Sequence, residues 1–264
     1  MILAVLVFGI LFPRSAAANP GLEHILAELR RAEAAWEAAI REMVYTAEAR
    51  VIEWRDPART QVERETVSLR RVYVREPDLM HNDYLSMSVD GTPLTGQEME
   101  RELAKQRRGG RRQGSGEQFL SPFSSEAAGL YDFRFLGESS FEGLPAWRID
   151  FVPKKSDQTR FRGTALVARS DYEPLYVEMA PSELPGVLEE LSMSIRFAPV
   201  EGYSLPAHFL MEMRIKVSVL VTLADRILTI EDRYSDYRLN PGLDDSLFAQ
   251  ETGGMNSADR RRER

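Results

Sequence analysis

The stretch Phe209-Leu210-Met211-Glu212-Met213-Arg214-Ile215-Lys216-Val217-Ser218-Val219-Leu220-Val221 decides the fold. Every second residue from Phe209 is apolar, and most of those between are polar or charged, with Leu210 and Leu220 as exceptions. Strict alternation over such a run predicts a β-strand with one apolar and one polar face. At ~3.3 Å per residue the strand is about 40 Å long, against a usual ~17–20 Å. A strand of that length belongs to a large curved antiparallel sheet, whose apolar face must be covered by core or by something the protein carries.

The 264 residues, 43% hydrophobic and 28% charged, fit one large all-β domain or two smaller ones with a sizeable core. The formal net charge of -7 gives no reason to expect nucleic acid or an anionic membrane surface as partner. Cysteine is absent, which excludes disulfides, thiolate metal sites, a cysteine nucleophile and a lipidated N-terminal cysteine.

Residues 2–12 form an apolar run followed by Pro13-Arg14 and Ser15-Ala16-Ala17-Ala18. Small residues at Ala16 and Ala18 suit signal peptidase, so residues 1–18 are expected to be an export signal cleaved after Ala18. The run is too short for a bilayer, which needs ~20 apolar residues. Export without cysteine points to the periplasm.

Asn19-Pro20 has the form of a helix start, and Leu22, Ile25, Leu26, Leu29, Trp36, Ile40 and Met43 recur at helical spacing, which predicts an amphipathic helix. Strands follow over 45–51, 61–75 and 78–89, the last ending at Asp90-Gly91. Residues 95–108 read as a second helix, with Leu94, Met99 and Leu103 on one side. It runs into the Arg/Gly-rich tract 107–116, expected to be a solvated mobile loop. Tyr131, Phe133 and Phe135 alternate, as do Trp147, Ile149 and Phe151, and further strands follow over 161–169, 175–179, 191–197, 209–221 and 227–238. Turn residues separate the strands without intervening helices, so the pairing is expected to be antiparallel. Residues 240–264 read as a disordered tail.

No reactive set converges in this sequence. His24, His81 and His208 each lack a second ligand at metal spacing. There is no Gly-x-Ser-x-Gly elbow and no phosphate-binding Gly-Lys-Ser/Thr loop. The neighbours Glu231 and Asp232 lie on a strand and point to opposite faces, so they cannot act together on one substrate. A non-enzyme without cofactor or metal is expected.

Three stretches carry a family resemblance: Leu136-Gly137-Glu138-Ser139-Ser140-Phe141-Glu142-Gly143-Leu144-Pro145-Ala146-Trp147, the strand and turn from Ala165 to Pro174, and Val200-Glu201-Gly202-Tyr203-Ser204-Leu205-Pro206, with Asp236-Tyr237-Arg238 closing the last strand. Their succession, over about residues 45–238, resembles the LolA/LolB-like proteins, outer-membrane lipoprotein-sorting proteins. The resemblance implies a mainly β fold with helices (α+β), a half-open antiparallel barrel over residues 19–239 whose concave apolar face is covered by two helices, plug and lid. It implies a carrier for lipid or for the acyl chains of a lipoprotein, or alternatively a periplasmic protein-interaction or envelope-stress sensor module with envelope proteins as partners; a monomer is expected. The Arg/Gly-rich insertion departs from the dedicated carrier, and no residue of the carrier's binding signature transfers.

The residues themselves supply a candidate cavity wall: Trp147, Ile149, Phe151, Leu191, Met193, Ile195, Phe197, Phe209, Met211, Met213 and Ile215. Methionine is unbranched and polarizable and adapts to varied acyl chains, and sites for apolar ligands are concave and mostly hydrophobic. Leu94, Met99 and Leu103 would form the inner side of the lid. The competing reading of the same residues is ordinary core beneath the helices.

Overall fold

A computed structural model describes residues 21–75, 79–109, 121–184, 186–218 and 222–248. The elements are α1 (Leu22–Ala39), β1 (Glu42–Trp54), β2 (Val62–Arg75), β3 (Leu79–Val89), β4 (Thr92–Pro93), α2 (Gly96–Gly109), β5 (Tyr131–Phe141), β6 (Leu144–Pro153), β7 (Phe161–Ala168), β8 (Pro174–Pro181), β9 (Leu188–Val200), β10 (Tyr203–Ser218) and β11 (Thr222–Leu239). All the strands join one 11-stranded sheet in the order β4-β3-β2-β1-β11-β10-β9-β8-β7-β6-β5. Each pairing is antiparallel. Among the described residues the sheet does not close on itself, and with helices α1 and α2 it is an α+β open half-barrel. It is two meanders, β1–β4 and β5–β11, joined where the first strand pairs with the last.

Tight hairpins follow from local chemistry. Asp90-Gly91, Glu142-Gly143 and Glu201-Gly202 all have both residues at positive φ (50° and 76°, 49° and 85°, 51° and 88°). Two such residues make the turn whose twist matches that of the flanking strands. β10 begins at Tyr203, earlier than the alternation alone indicates, and a bulge between Pro206 and His208 separates its two parts. The bulge shifts the face assignment by one residue, so the alternation becomes regular only from Phe209.

Register lines up side chains across the sheet. One row on a single face runs Met87, Ser68, Ala49, Asp232, Phe209, Ile195, Val177, Ala165, Ile149 and Phe135, from β3 to β5. The adjacent row on the same face includes Val51, Ile230, Met211, Met193, Met179, Gly163, Phe151 and Phe133. This is the inner face. Helix α1 lays Ile25, Leu26 and Leu29 onto its β5–β8 half, where they join Trp147, Ile149, Phe151, Ala165, Val167, Val177 and Met179 in one buried cluster. Burying a side chain of this size contributes about 1.5–3 kcal/mol. Gly163 lets the β8 backbone and Phe151 approach β7 closely: a Cβ there would sit 2.0 Å from the Glu178 carbonyl oxygen and 2.8 Å from Phe151 Cζ.

The helix ends earlier than its apolar periodicity suggests. Ile40 is extended (φ -104°, ψ 110°) while its N–H still bonds Trp36 O, and Met43 lies in β1 opposite Leu239. Strand pairing therefore takes over from helical propensity at residue 40. The Asn240 side chain fixes the junction: its Oδ1 accepts from Arg41 N at 2.8 Å and its Nδ2 donates to Ala39 O at 2.8 Å.

Disorder from residue 240 onward, expected from composition, does not hold for residues 240–248. Glu42 accepts from Gly242 N at 2.9 Å, Leu243 N at 2.8 Å and Arg75 Nε at 2.9 Å. Arg75 also bonds Asp245 and the Leu243 carbonyl, and its guanidinium lies over the Phe248 ring, which is 2% exposed. One buried aromatic and one arginine outweigh the polar composition. The remaining tail, residues 1–18 expected to be an export signal, and most of the Arg/Gly-rich tract lie outside the described residues.

Two measurements test these placements. Gly163→Ala is expected to cost about 1–3 kcal/mol through overpacking, read as a lower urea midpoint; an unchanged midpoint contradicts the close approach of Phe151. The Leu243 N–H holds the Glu42 carboxyl below the usual carboxylate range, against the effect of burial and together with Arg75. A depressed folded value means that the stabilisation is complete above the ordinary range and disappears as pH falls through the depressed value. Glu42→Gln should thus lower stability by about 1 kcal/mol at neutral pH, and the deficit should vanish as the pH falls through the depressed Glu42 value. An equal deficit at neutral and acid pH contradicts the assignment.

Candidate functional site

The inner face divides into two halves. Under α1, Trp147 is 3% exposed and Ile149 and Phe151 are 0% exposed. These three, expected in a cavity wall, pack as core. The turn-rich segment before β5 completes that packing: Phe123 and Ala127 are buried in the same cluster, and Phe123 meets Phe151 edge-on at 5.5 Å. No periodicity marks this segment in the sequence.

Beyond the cluster the apolar ladder continues with less cover. Met211 stands opposite Met193 on one side and Ile230 on the other, and Met213 opposite Leu191 and Leu228. Leu191, Met193, Ile195, Phe197, Phe209, Met211, Met213 and Ile215 are all half-buried. Met193, Ile195 and Phe197 touch the edge of the core, and the others extend the same surface toward β11 and β1. The structure thus brings together eight of the eleven residues expected in a cavity wall as one contiguous, half-covered apolar strip.

Helix α2 stands at the other end of the sheet. Thr95 and Glu98 cap it reciprocally, Thr95 N donating to Glu98 Oε2 at 2.9 Å and Glu98 N to Thr95 Oγ1 at 3.4 Å. Glu102, 7% exposed, accepts from Arg64 Nη2 of β2 at 2.7 Å. That ion pair anchors the helix, and Leu94, Met99 and Leu103 beside it are half-buried.

A polar island lies next to the strip, and sequence reasoning missed it. Asp232, 8% exposed, occupies the row between Ala49 and Phe209. Its Oδ2 faces Arg70 Nη2 at 3.4 Å and accepts from Tyr234 OH at 3.2 Å. Tyr45 meets Tyr234 edge-on and lies against Tyr237, and Tyr237 OH donates to Pro206 O at 2.7 Å. Burial raises the Asp232 carboxyl above its ordinary value, with Arg70 opposing. Burial and the neighbouring carboxylate push the Tyr234 hydroxyl far up, so it stays a donor. Asp232 Oδ1 and Arg70 Nε are buried without a hydrogen-bond partner. Residues 70 and 232 are too far apart in sequence for any spacing rule; only the β1–β11 register joins them.

The outer face is different. Glu48 stands opposite Arg233 and Arg50 opposite Glu231, lining a shallow depression with Val67. Glu231 accepts from Arg233 at 2.8 Å and pairs with His208 Nε2 at 2.9 Å. His208 holds the Glu231 carboxyl down. Glu231 and Asp232 do point to opposite faces. Arg50 in turn pairs with Glu65 of β2, and among the described residues no group of His, Asp or Glu is arranged to hold a metal ion. No described helix is long and apolar enough to cross a membrane.

The chain belongs to the family of unknown function DUF5686, which matches residues 45–224. No curated protein matches the sequence. Among solved structures, the chain is similar to a DUF1329 family protein from Desulfovibrio piger, at 12% identity over 87% of this chain and 98% of that one, with a TM-score of 0.43. It is also similar to a LolA superfamily protein from Nitrosomonas europaea, at 11% identity over 87% and 98% of the two chains, with a TM-score of 0.40.

Proposed function

We propose that the protein binds the acyl chain of a lipid or of a lipoprotein, without catalysis, on the inner face between α1 and α2. Its site is the strip Leu191, Met193, Phe209, Met211, Met213 and Ile215, with Leu94, Met99 and Leu103 as the inner side of an α2 lid. Residues 19–239 form the binding domain, and the export segment 1–18 places it in the periplasm. The observation that carries this reading is the half-covered strip itself. It is continuous with a well-packed core, yet α1 buries only the β5–β8 half of the face. A contiguous apolar surface left half-covered marks a binding site more often than scattered apolar residues do. Unbranched methionines at Met193, Met211 and Met213 suit a ligand of variable shape. Each methylene buried contributes about 0.8 kcal/mol, so a long chain binds well even on a partly open wall.

Protein purified without added lipid and analysed by native mass spectrometry is expected to carry acyl-chain lipids, and delipidated protein to take up a fluorescent fatty acyl probe. Met193→Glu and Met211→Glu should weaken uptake by at least about tenfold, since each puts an unpaired carboxylate on the wall. Arg233→Ser, on the outer face, should leave it unchanged. Protein that is empty and takes up no probe contradicts the proposal.

A further inference from the structure

The polar island beside the strip points to the chemistry of the ligand's head, given that the strip takes an acyl chain as proposed above. We infer that Arg70 and Asp232 form a seat for an uncharged polar group that both donates and accepts a hydrogen bond, such as an amide or a hydroxyl, carried at the end of a long alkyl chain.

Four observations carry this. First, Asp232 is 8% exposed and one of its carboxylate oxygens, Oδ1, has no partner. Arg70 Nε, on the side chain whose Nη2 faces Asp232 Oδ2, is likewise buried without a partner. A buried acceptor or donor left open costs about 1–3 kcal/mol, so such a pair is normally completed by something. Second, the site is electrically balanced. Arg70 Nη2 faces Asp232 Oδ2 at 3.4 Å, and Tyr234 OH donates to the same oxygen. An anionic head reaching for Arg70 meets the Asp232 carboxylate, and a cationic head reaching for Asp232 meets the guanidinium. Like charges brought together out of water repel strongly, which selects against both. A neutral group can donate to Oδ1 and accept from Nε without adding charge.

Third, the surroundings are apolar or uncharged on the sheet itself. Asp232 is flanked in register by Ala49 and Phe209, and Arg70 by Ala47 and Tyr84. Ser68, the next residue in the Asp232 row, is 7% exposed. Fourth, the seat lies at the end of the wall. Phe209 neighbours Asp232, and Met211, Met213 and Ile215 lead away from it on the same face. From Phe209 to Ile215 the strand advances about 20 Å, enough for a long chain laid along β10. Head and tail of one amphiphile therefore find their partners on adjoining positions of one face.

The test uses the delipidated full chain and four probes that share one tail: monoolein and oleamide with neutral heads, oleate with an anionic one and oleylamine with a cationic one. Displacement of a fluorescent acyl probe is expected to show monoolein and oleamide binding at least about tenfold more tightly than oleate or oleylamine. Asp232→Asn leaves Arg70 uncompensated and should bring oleate up by about tenfold relative to monoolein; Arg70→Gln should do the same for oleylamine. The wild-type series stands without the variants if either fails to fold. Equal binding of all four probes by the wild type overturns the head-group assignment while leaving the acyl wall intact, and so does a variant that folds without the corresponding shift. No binding of any probe overturns the wall itself, and the head-group assignment with it.

Discussion

The pairing of β1 with β11 is the constraint on which the rest of the structure depends. Met43 to Trp54 lie antiparallel to Ile227 to Leu239, and this one seam converts two hairpin meanders into a single open sheet. It sets which residues share a row. Because Ala49 falls opposite Asp232, and Asp232 opposite Phe209, the apolar β5–β10 face and the mixed β1–β3 face meet at a carboxylate rather than at another aliphatic residue. A one-residue slip would move every side chain of β1 to the other face. Asn240 and Glu42 hold the seam at one end, tying the end of α1, the start of β1 and the segment after β11 together.

From that seam the two halves of the inner face acquire different fates. Over β5–β8, α1 and the Phe123–Ala127 turns supply enough apolar surface to bury Trp147, Ile149, Phe151, Ala165, Val167, Val177 and Met179. Over β9 and β10 the apolar side chains of the strip are half-covered, and at the far end of the sheet Glu102 of α2 is paired with Arg64 of β2. Protein interiors are packed to crystal-like density, and the half-covered strip continuous with such an interior is the surface proposed to take a ligand. The outer face differs, with cross-strand ion pairs such as Arg50 with Glu65 and Arg214 with Asp225.

Much of the fold was legible because it is local. Alternation from Phe209 to Ile215 revealed a strand and its inward side, and Asp90-Gly91, Glu142-Gly143 and Glu201-Gly202 revealed hairpins. The order of strands was not legible, since β1 and β11 are distant in sequence and no local pattern encodes their pairing. For the same reason Arg70 and Asp232 read separately as ordinary strand polar residues. Trp147, Ile149 and Phe151 were correctly placed on the apolar side, but whether a helix or a ligand covers them depends on where α1 lies. Phe123, Ala127 and Phe248 escaped notice because single apolar residues in turn-rich or polar segments have no period to betray them.

The central claim is that the β9–β11 strip is a ligand surface rather than loosely packed core, and methionine footprinting tests it most directly. Met193, Met211 and Met213 lie on the strip, whereas Met80, 46% exposed, lies on β3 near the opposite edge of the sheet. With brief peroxide treatment and peptide mass spectrometry, saturating monoolein should slow oxidation of the three strip methionines several-fold and leave Met80 unchanged. Equal oxidation of all four with and without lipid, under conditions where the lipid is bound, would contradict it.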